Sequence, residues 1–257
     1  MLIGAISDYL KSWRTGVNYA YLNFKDHPRG CEMLEHLIAN GYPPSLVIEE
    51  LCDAGIAGTQ EQNDVLHLLP DYRAGETAQQ LCLRDNIPYR IVSNLNDEDC
   101  LELIRTSGID LIILGDTRII KSHLIDASGM GIINVHPGIL PEVRGNNPYA
   151  WAVLEGAQQG VTVHFIDKGV DTGPILKKVL LGTVPKNYAS LVKGLNTLCA
   201  QALVSVLDNL SQGLISVSVQ PESAPPTRKE ASKDIKKQAN QILEKGRTGA
   251  PVREQEC

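Results

Sequence analysis

Aromatic side chains are scarce in this chain of 257 residues, with two Phe and two Trp, so aliphatic groups must fill any sizeable core. Basic charge is also short. Lys and Arg number 24 against 30 Asp and Glu, a net charge of −6. That deficit counts against a wide surface gripping a phosphate backbone, and nucleic acid is not an expected partner. The six cysteines, Cys31, Cys52, Cys82, Cys100, Cys199 and Cys257, show no C-x-x-C spacing. A zinc cluster would need paired ligands, so no metal is expected, and the thiols read as small buried groups in a reducing compartment. No apolar run approaches membrane-spanning length. Met1-Leu2-Ile3-Gly4-Ala5-Ile6 lacks the basic region and long apolar core of a signal peptide, so the expectation is a cytoplasmic chain with no membrane partner. No G-x-S-x-G elbow presents a nucleophilic serine, and no internal repeat is visible. What remains is an ordinary globular composition, long enough for one domain with an appendage.

From residue 19 onward, strand-like and helix-like segments alternate. Tyr19–Phe24, Ser45–Ile48, Pro88–Val92, Ile109–Leu114 and Ile132–Val135 read as strands. Gly30–Asn40, Ala74–Asp85 and a segment capped by Asn96 and ending at Ser107 read as helices, and Ile120–Ser128 leads into the last of these strands. Residues 50–72 give no clear assignment. The rhythm predicts an α/β fold with a doubly wound, mostly parallel sheet, in which ligands bind outside the carboxyl ends of strands. Pro148–Glu155 reads as a helix with Pro in its first turn. Val161–Ile166 and Ile175–Leu181 read as strands joined antiparallel by the tight Gly169–Gly173 connection. From Ala189 to Asn209 a long helix carries Leu191, Leu195, Leu198, Ala202, Leu203, Val206 and Leu210 on one face, a core stripe. Pro221-Glu222-Ser223-Ala224-Pro225-Pro226 looks like a linker. Residues 229–246 are Lys-rich, with Ile235, Ala239, Ile242 and Leu243 on one face, and read as a docked surface helix, a homodimer contact or an acceptor-binding flap. The last dozen residues read as loose. The expected division is an amino-terminal extension at 1–18, a principal domain at 19–215 and a carboxyl-terminal extension at 216–257.

Chemistry concentrates where an apolar run ends in Asn134-Val135-His136 and Pro137-Gly138 stops the strand. Residues i and i+2 share a side, so Asn134 and His136 project together. A neutral donor beside a group titrating near neutrality suits acyl transfer. In transfer of a one-carbon acyl group between two nitrogens, His136 takes the proton of the attacking amine and returns it to the leaving nitrogen. Asn134 donates to the developing oxyanion, worth on the order of 3 kcal/mol when preorganised. Asp171, on the turn Gly169-Val170-Asp171-Thr172-Gly173-Pro174, orients the imidazole and favours its charged form. No covalent intermediate is required. Taken singly, each piece has a bland reading: an N-x-H at a strand end is more often structural, and a D-T-G turn is usually only a turn.

Together these pieces resemble a family. The stretch Pro88–Leu181 is similar to the folate-dependent formyltransferases, through Asn134-Val135-His136-Pro137, Leu140-Pro141 with Arg144-Gly145, Gly160-Val161-Thr162-Val163-His164, and Gly169-Val170-Asp171-Thr172-Gly173, in that order. The resemblance implies a Rossmann-like catalytic domain, N10-formyltetrahydrofolate as formyl donor, and Asn134, His136 and Asp171 as the catalytic trio. It implies that the backbone of Thr117, Arg118, Ile119 and Ile120 holds the pterin, with Asp167, Gly169 and Val170 as the opposite wall. His164 matches a family histidine beside the reacting centre; its plain reading is a strand histidine satisfied by a backbone partner. Arg144, Asn146, Asn147 and Tyr149 follow the catalytic strand and are expected to contact the acceptor, unless Arg144 merely ties down its loop.

Departures narrow the acceptor. Lys25-Asp26-His27-Pro28-Arg29-Gly30 is not the Gly- and Ser-rich phosphate loop of the glycinamide ribonucleotide enzyme. The methionyl-tRNA enzyme has an RNA-binding domain larger than 216–257, and the formyltetrahydrofolate hydrolase has a regulatory domain ahead of the catalytic one. The expected acceptor is the primary amine of a small molecule, first a nucleotide-linked amino sugar and then a specialised metabolite. Arg14, Lys25, Arg29 or the Lys-rich tail would supply charge for a pyrophosphate. The alternatives are a phosphoribosylglycinamide formyltransferase, a formyltetrahydrofolate hydrolase, and a non-catalytic binding protein on the same fold.

Overall fold

Apolar runs that do not alternate need cover on both faces, and Tyr19–Phe24 and Leu111–Leu114 find it as neighbouring inner strands. The structure is a computed structural model describing residues 17–246 apart from 215 and 222. Nearly all of the expected amino-terminal extension, Arg14 included, and the last residues of the tail lie outside the described residues.

In chain order the elements are β1 (Tyr19–Phe24), α1 (Pro28–Ala39), β2 (Leu46–Glu50), α2 (Asp53–Leu66), α3 (Ala78–Arg84), β3 (Tyr89–Val92), α4 (Glu98–Thr106) and β4 (Leu111–Leu114). There follow α5 (Ser122–Ala127), β5 (Ile132–His136), α6 (Pro148–Glu155), β6 (Gly160–Phe165), β7 (Ile175–Leu180), α7 (Tyr188–Gln212) and α8 (Lys233–Glu244). The strands form one seven-stranded sheet in the order β3-β2-β1-β4-β5-β6-β7. The pairs from β3 through β5 are parallel; β5–β6 and β6–β7 are antiparallel. This is an α/β, Rossmann-like doubly wound sheet, and its strand order reverses between β1 and β4, where a crevice opens at the carboxyl ends.

Two apolar layers sandwich the sheet. One gathers Met33, Leu34, Leu37, Leu81, Leu195 and Leu203 under α1, α3 and α7. The other gathers Leu22, Ile48, Leu101, Ile104 and Leu124 under α4 and α5. Burial of these aliphatic groups, each worth about 1.5–3 kcal/mol, is the main favourable term. On the second face the outer strands are covered by loops: Leu140 N–H donates to Thr162 Oγ1 at 3.1 Å, and Thr162 Oγ1 donates to the Gly138 carbonyl at 2.8 Å.

Several local expectations change. Residues 50–72 contain α2, which begins where Cys52 Sγ accepts the Gly55 N–H at 3.3 Å. The helix begins at Ala78, not Ala74, because Thr77 and Gln80 form a reciprocal capping box. Asp97, not Asn96, is the cap residue of α4. At 25 residues and a mean hydropathy of 1.3, α7 is long and apolar enough to cross a membrane, contrary to the expectation that no segment reaches that length. Here it is a core helix: Leu191, Leu195, Cys199, Leu203 and Leu207 are fully buried against the sheet and α1. Finally, the chain on both sides of the expected linker at 221–226 is anchored. Ser218 pairs with Ile175, Arg228 pairs with Gly145, and α8 docks on α6.

Candidate active site

The end of β5 delivers Asn134 and His136 to one side of the sheet, and antiparallel β6 sets His164 directly opposite Asn134. Asn134 Nδ2 lies 3.2 Å from His164 Nε2. His164 Nδ1 lies 2.8 Å from the Phe165 carbonyl and so donates to it, which leaves Nε2 as the acceptor for Asn134. One N–H of the asparagine amide is thereby committed to His164. Both readings of His164 therefore hold at once: it is satisfied by backbone, and it touches the candidate catalytic group.

His136 Nε2 donates to the Val143 carbonyl at 2.8 Å. The titrating nitrogen is then Nδ1, which faces Asp171 Oδ2 at 3.6 Å. The other carboxylate oxygen, Oδ1, lies 3.7 Å from His164 Nε2. Burial pushes the His136 imidazole below its ordinary value of 6.5, the Asp171 charge opposes that, and Arg29 adds to it. His164, wholly buried, is lowered to about 4 by the same desolvation, with Asp171 opposing and His136 reinforcing. Both rings are thus neutral at pH 7, and His136 is competent as a base. Asp171 sits on the β6–β7 turn with φ of 54°, and the Gly145 N–H donates to its Oδ2 at 2.8 Å. Three side chains from β5 and the turn, with His164 from β6, therefore meet at one point.

The segment expected to hold the pterin is braced from outside. Asn96, which does not cap its helix, accepts the Lys121 N–H at 2.7 Å and donates to the Ile119 carbonyl at 3.0 Å. Arg118 turns its guanidinium to buried Glu50, with Nε 2.9 Å from Oε1, and Glu50 also accepts the Leu95 N–H at 2.9 Å. A shallow, open depression of about 650 Å³ is lined by Ile119, Ile120, Lys121, Ser122, His123, Asp126 and Lys168, and Asn134, His136 and Asp171 do not line it. Thr117 belongs to the same loop. Across from it Asp167 accepts the Gly169 N–H at 3.0 Å and the Thr172 hydroxyl, shaping the turn that carries Lys168, Val170 and Asp171. Sequence reasoning passed over Lys121, Ser122 and His123, which sit just beyond the segment it marked.

The residues assigned to the acceptor are largely engaged elsewhere. Arg144 is buried and its Nη2 donates to Gln220 Oε1 at 3.1 Å. Asn147 Oδ1 accepts the Ala231 N–H at 3.0 Å, whereas Asn146 is bonded through its backbone N–H, to the Arg228 carbonyl at 3.2 Å, and is exposed. Tyr149 lies with its ring 5.8 Å from that of Tyr188. Of the cations offered for a pyrophosphate, Arg29, Lys25 and, in the Lys-rich tail, Lys236 are paired with carboxylates. Arg29 Nη2 pairs with Asp116 Oδ2 at 2.6 Å, and Lys25 pairs with Asp26 at 3.0 Å and lies 3.8 Å from Glu49. A polar chain at the crevice went unnoticed: Asn23 donates to buried Glu49 at 3.1 Å and accepts the Asp116 N–H at 2.9 Å. Its one signal in sequence is polar Asn23 and Glu49 inside otherwise apolar strands.

Known proteins resemble this chain in sequence and in fold. The chain is 33% identical over 147 residues to the methionyl-tRNA formyltransferase of Chlorobium phaeovibrioides, covering 56% of this chain and 46% of that protein. It is 35% identical over 163 residues to the same-named protein of Koribacter versatilis, covering 61% and 52%. The chain thus spans about half the length of these relatives. Among solved structures, the N-formyltransferase from Helicobacter canadensis, in complex with folinic acid and dTDP-3-aminofucose, superposes with a TM-score of 0.60 at 13% identity, covering 93% of this chain and 85% of that one. The phosphoribosylglycinamide formyltransferase from Anaplasma phagocytophilum superposes with a TM-score of 0.60 at 17% identity, covering 84% and 100%. At such identities the structures share the fold. Residues 53–207 match the family model described as formyl transferase, and the chain belongs to the formyl transferase family.

Proposed function

We propose that the chain transfers a formyl group from N10-formyltetrahydrofolate to the primary amine of a small molecule. The observation that carries this reading is the meeting of Asn134, His136 and Asp171, with His164 fixing the asparagine amide. The donor's fit is supported by an open depression of about 650 Å³ that combines apolar Ile119 and Ile120 with a braced backbone and the cationic Lys168. A pterin edge is a fixed row of donors and acceptors, which backbone groups at 117–120 other than the Ile119 carbonyl, held by Asn96, suit. When bound, the donor supplies an activated formyl carbon. His136 Nδ1 takes the proton that the attacking amine must lose and later delivers it to the leaving nitrogen. Asp171 stabilises the imidazolium in the interval, and the second amide N–H of Asn134 serves the developing oxyanion.

Neutral His136 is the working base, so the direction of the pH dependence follows. The rate per unit of bound substrate is expected to be flat near neutrality and to fall on acidification, with a midpoint below 6.5. A pH profile of kcat with its acid midpoint above 6.5 would count against His136 as the base.

For the acceptor, a nucleotide-linked amino sugar is the first reading, supported by likeness over 93% of this chain to an enzyme crystallised with dTDP-3-aminofucose. Any pyrophosphate must then find partners other than Lys25 and Arg29. The sequence relatives favour a second reading, methionyl-tRNA. Incubation with the formyl donor and dTDP-3-aminofucose, glycinamide ribonucleotide or methionyl-tRNA, read by mass spectrometry, separates them. Formylation of the tRNA alone would overturn the small-molecule reading.

A further inference from the structure

The segment after α7 runs across the outside of the two loops that carry the chemistry. Ser218 and Ile175 exchange both backbone bonds, at 2.8 and 2.9 Å. Two residues later Gln220 is buried, and its Nε2 donates to the Asp171 carbonyl at 3.0 Å and the Gly173 carbonyl at 2.7 Å. Its Oε1 accepts from Arg144 Nη2 at 3.1 Å. Further on, the Arg228 N–H donates to the Arg144 carbonyl at 2.9 Å, and the Arg228 carbonyl accepts the Asn146 N–H at 3.2 Å. Between these two contacts the Gly145 N–H reaches the Asp171 carboxylate at 2.8 Å. The result is a closed ring: the Asp171 peptide, Gln220, Arg144, Gly145, and back to the Asp171 carboxylate.

Two residues in this ring have backbones that need holding. Asp171 has φ of 54°, a left-handed conformation that a residue with a Cβ keeps only when its surroundings over-determine it. Gly145 has φ of 93°, and a Cβ there would lie 2.1 Å from the Arg228 carbonyl oxygen. The strap thus passes too close to admit any side chain at this position. We propose that Gln220 is a positioning residue of the active site, setting the Asp171 peptide so that its carboxylate faces His136 Nδ1, and that residues 218–221 and 223–228 form a strap integral to the site. The kinetic part of this proposal rests on the formyl-transfer reading; the geometric part does not.

The groups facing His136 define the readout. Asp171 approaches from the β6–β7 turn, His164 from β6 and Arg29 from α1, and of these Asp171 is the one whose charge favours imidazolium. If the turn relaxes, the carboxylate withdraws and the imidazole titrates at lower pH. The test uses the full chain with Gln220→Ala and Gln220→Met, the latter keeping the volume while losing the amide. An NMR titration of the His136 ring, assigned by its loss in His136→Gln, is expected to show a lower midpoint in both variants. With a responsive amine, kcat is expected to fall about 10- to 100-fold, with KM for the donor changing less than about twofold. If the alanine variant does not fold, the methionine variant decides. An unchanged His136 midpoint with unchanged kcat in a folded variant would reduce Gln220 to packing and overturn the proposal. Should the unaltered chain formylate no amine, the function reading fails separately, and the NMR titration still decides the role of Gln220.

Discussion

Replacing His136 by Ala is expected to lower formyl transfer by about 10²- to 10⁴-fold, the range for losing a positioned general acid–base. The argument rests on geometry. With Nε2 held by the Val143 carbonyl, Nδ1 is the nitrogen free to exchange a proton, and Asp171 lies where it stabilises the charged ring. The proposed donor site does not include His136, so donor affinity, measured by calorimetry, is expected to stay within about threefold, because no uniform binding contact is lost. The substitution also leaves the Val143 carbonyl without its partner, a buried vacancy costing about 1–3 kcal/mol. A thermal melt must accompany the kinetics so that lost folding is not read as lost chemistry. An undiminished rate in a folded His136→Ala protein would remove this histidine from the mechanism.

The second large effect is expected from Asn134→Ala, about 10²- to 10³-fold in kcat, as for removal of one preorganised oxyanion donor. In the proposed role Asn134 is an oxyanion donor, whose hydrogen bond strengthens as negative charge develops on the transferred carbonyl oxygen in the transition state. The KM values for donor and acceptor are therefore expected to change little. His164 shapes this prediction. Its Nε2 accepts from Asn134 and fixes which way the amide points. In the alanine protein that buried acceptor is left unpaired, so a loss of stability of about 1–3 kcal/mol should accompany the loss of rate. Steady-state kinetics with each substrate varied in turn gives the answer. If Asn134→Ala raised KM and spared kcat, the residue would be a binding contact and the oxyanion role would be wrong.

The catalytic strand was legible because local signals agreed. An unalternating apolar run, a polar i, i+2 pair and a Pro-Gly stop all point to a buried parallel strand ending at a site, and β5 is that strand. The long stripe from Leu191 to Leu210 was legible for the same reason, though the helix is longer and more apolar than expected. By contrast, α2 was invisible because it buries only Gly55 and Leu66 and so carries no stripe. Asn96 read as a cap, a role residues of its type favour, whereas its amide serves contacts 23 and 25 residues away. Gln220 could not be read at all. It sits in a Pro-rich stretch that looks like a linker, and its partners lie 47, 49 and 76 residues back along the chain. The neutralisation of Arg29 by Asp116 is equally long-range, across 87 residues. Composition and spacing report what a segment prefers locally; which polar groups meet across the sheet is set by topology.

Mass balance on the formyl group tests the central claim most directly. The unaltered chain, given N10-formyltetrahydrofolate with each amine of the panel, is followed for donor consumed, formylated amine formed and formate released. The expected result is one formylated amine for each donor consumed, with formate at background. Donor consumed with formate as the sole one-carbon product would make the same trio a hydrolase, and would contradict the account.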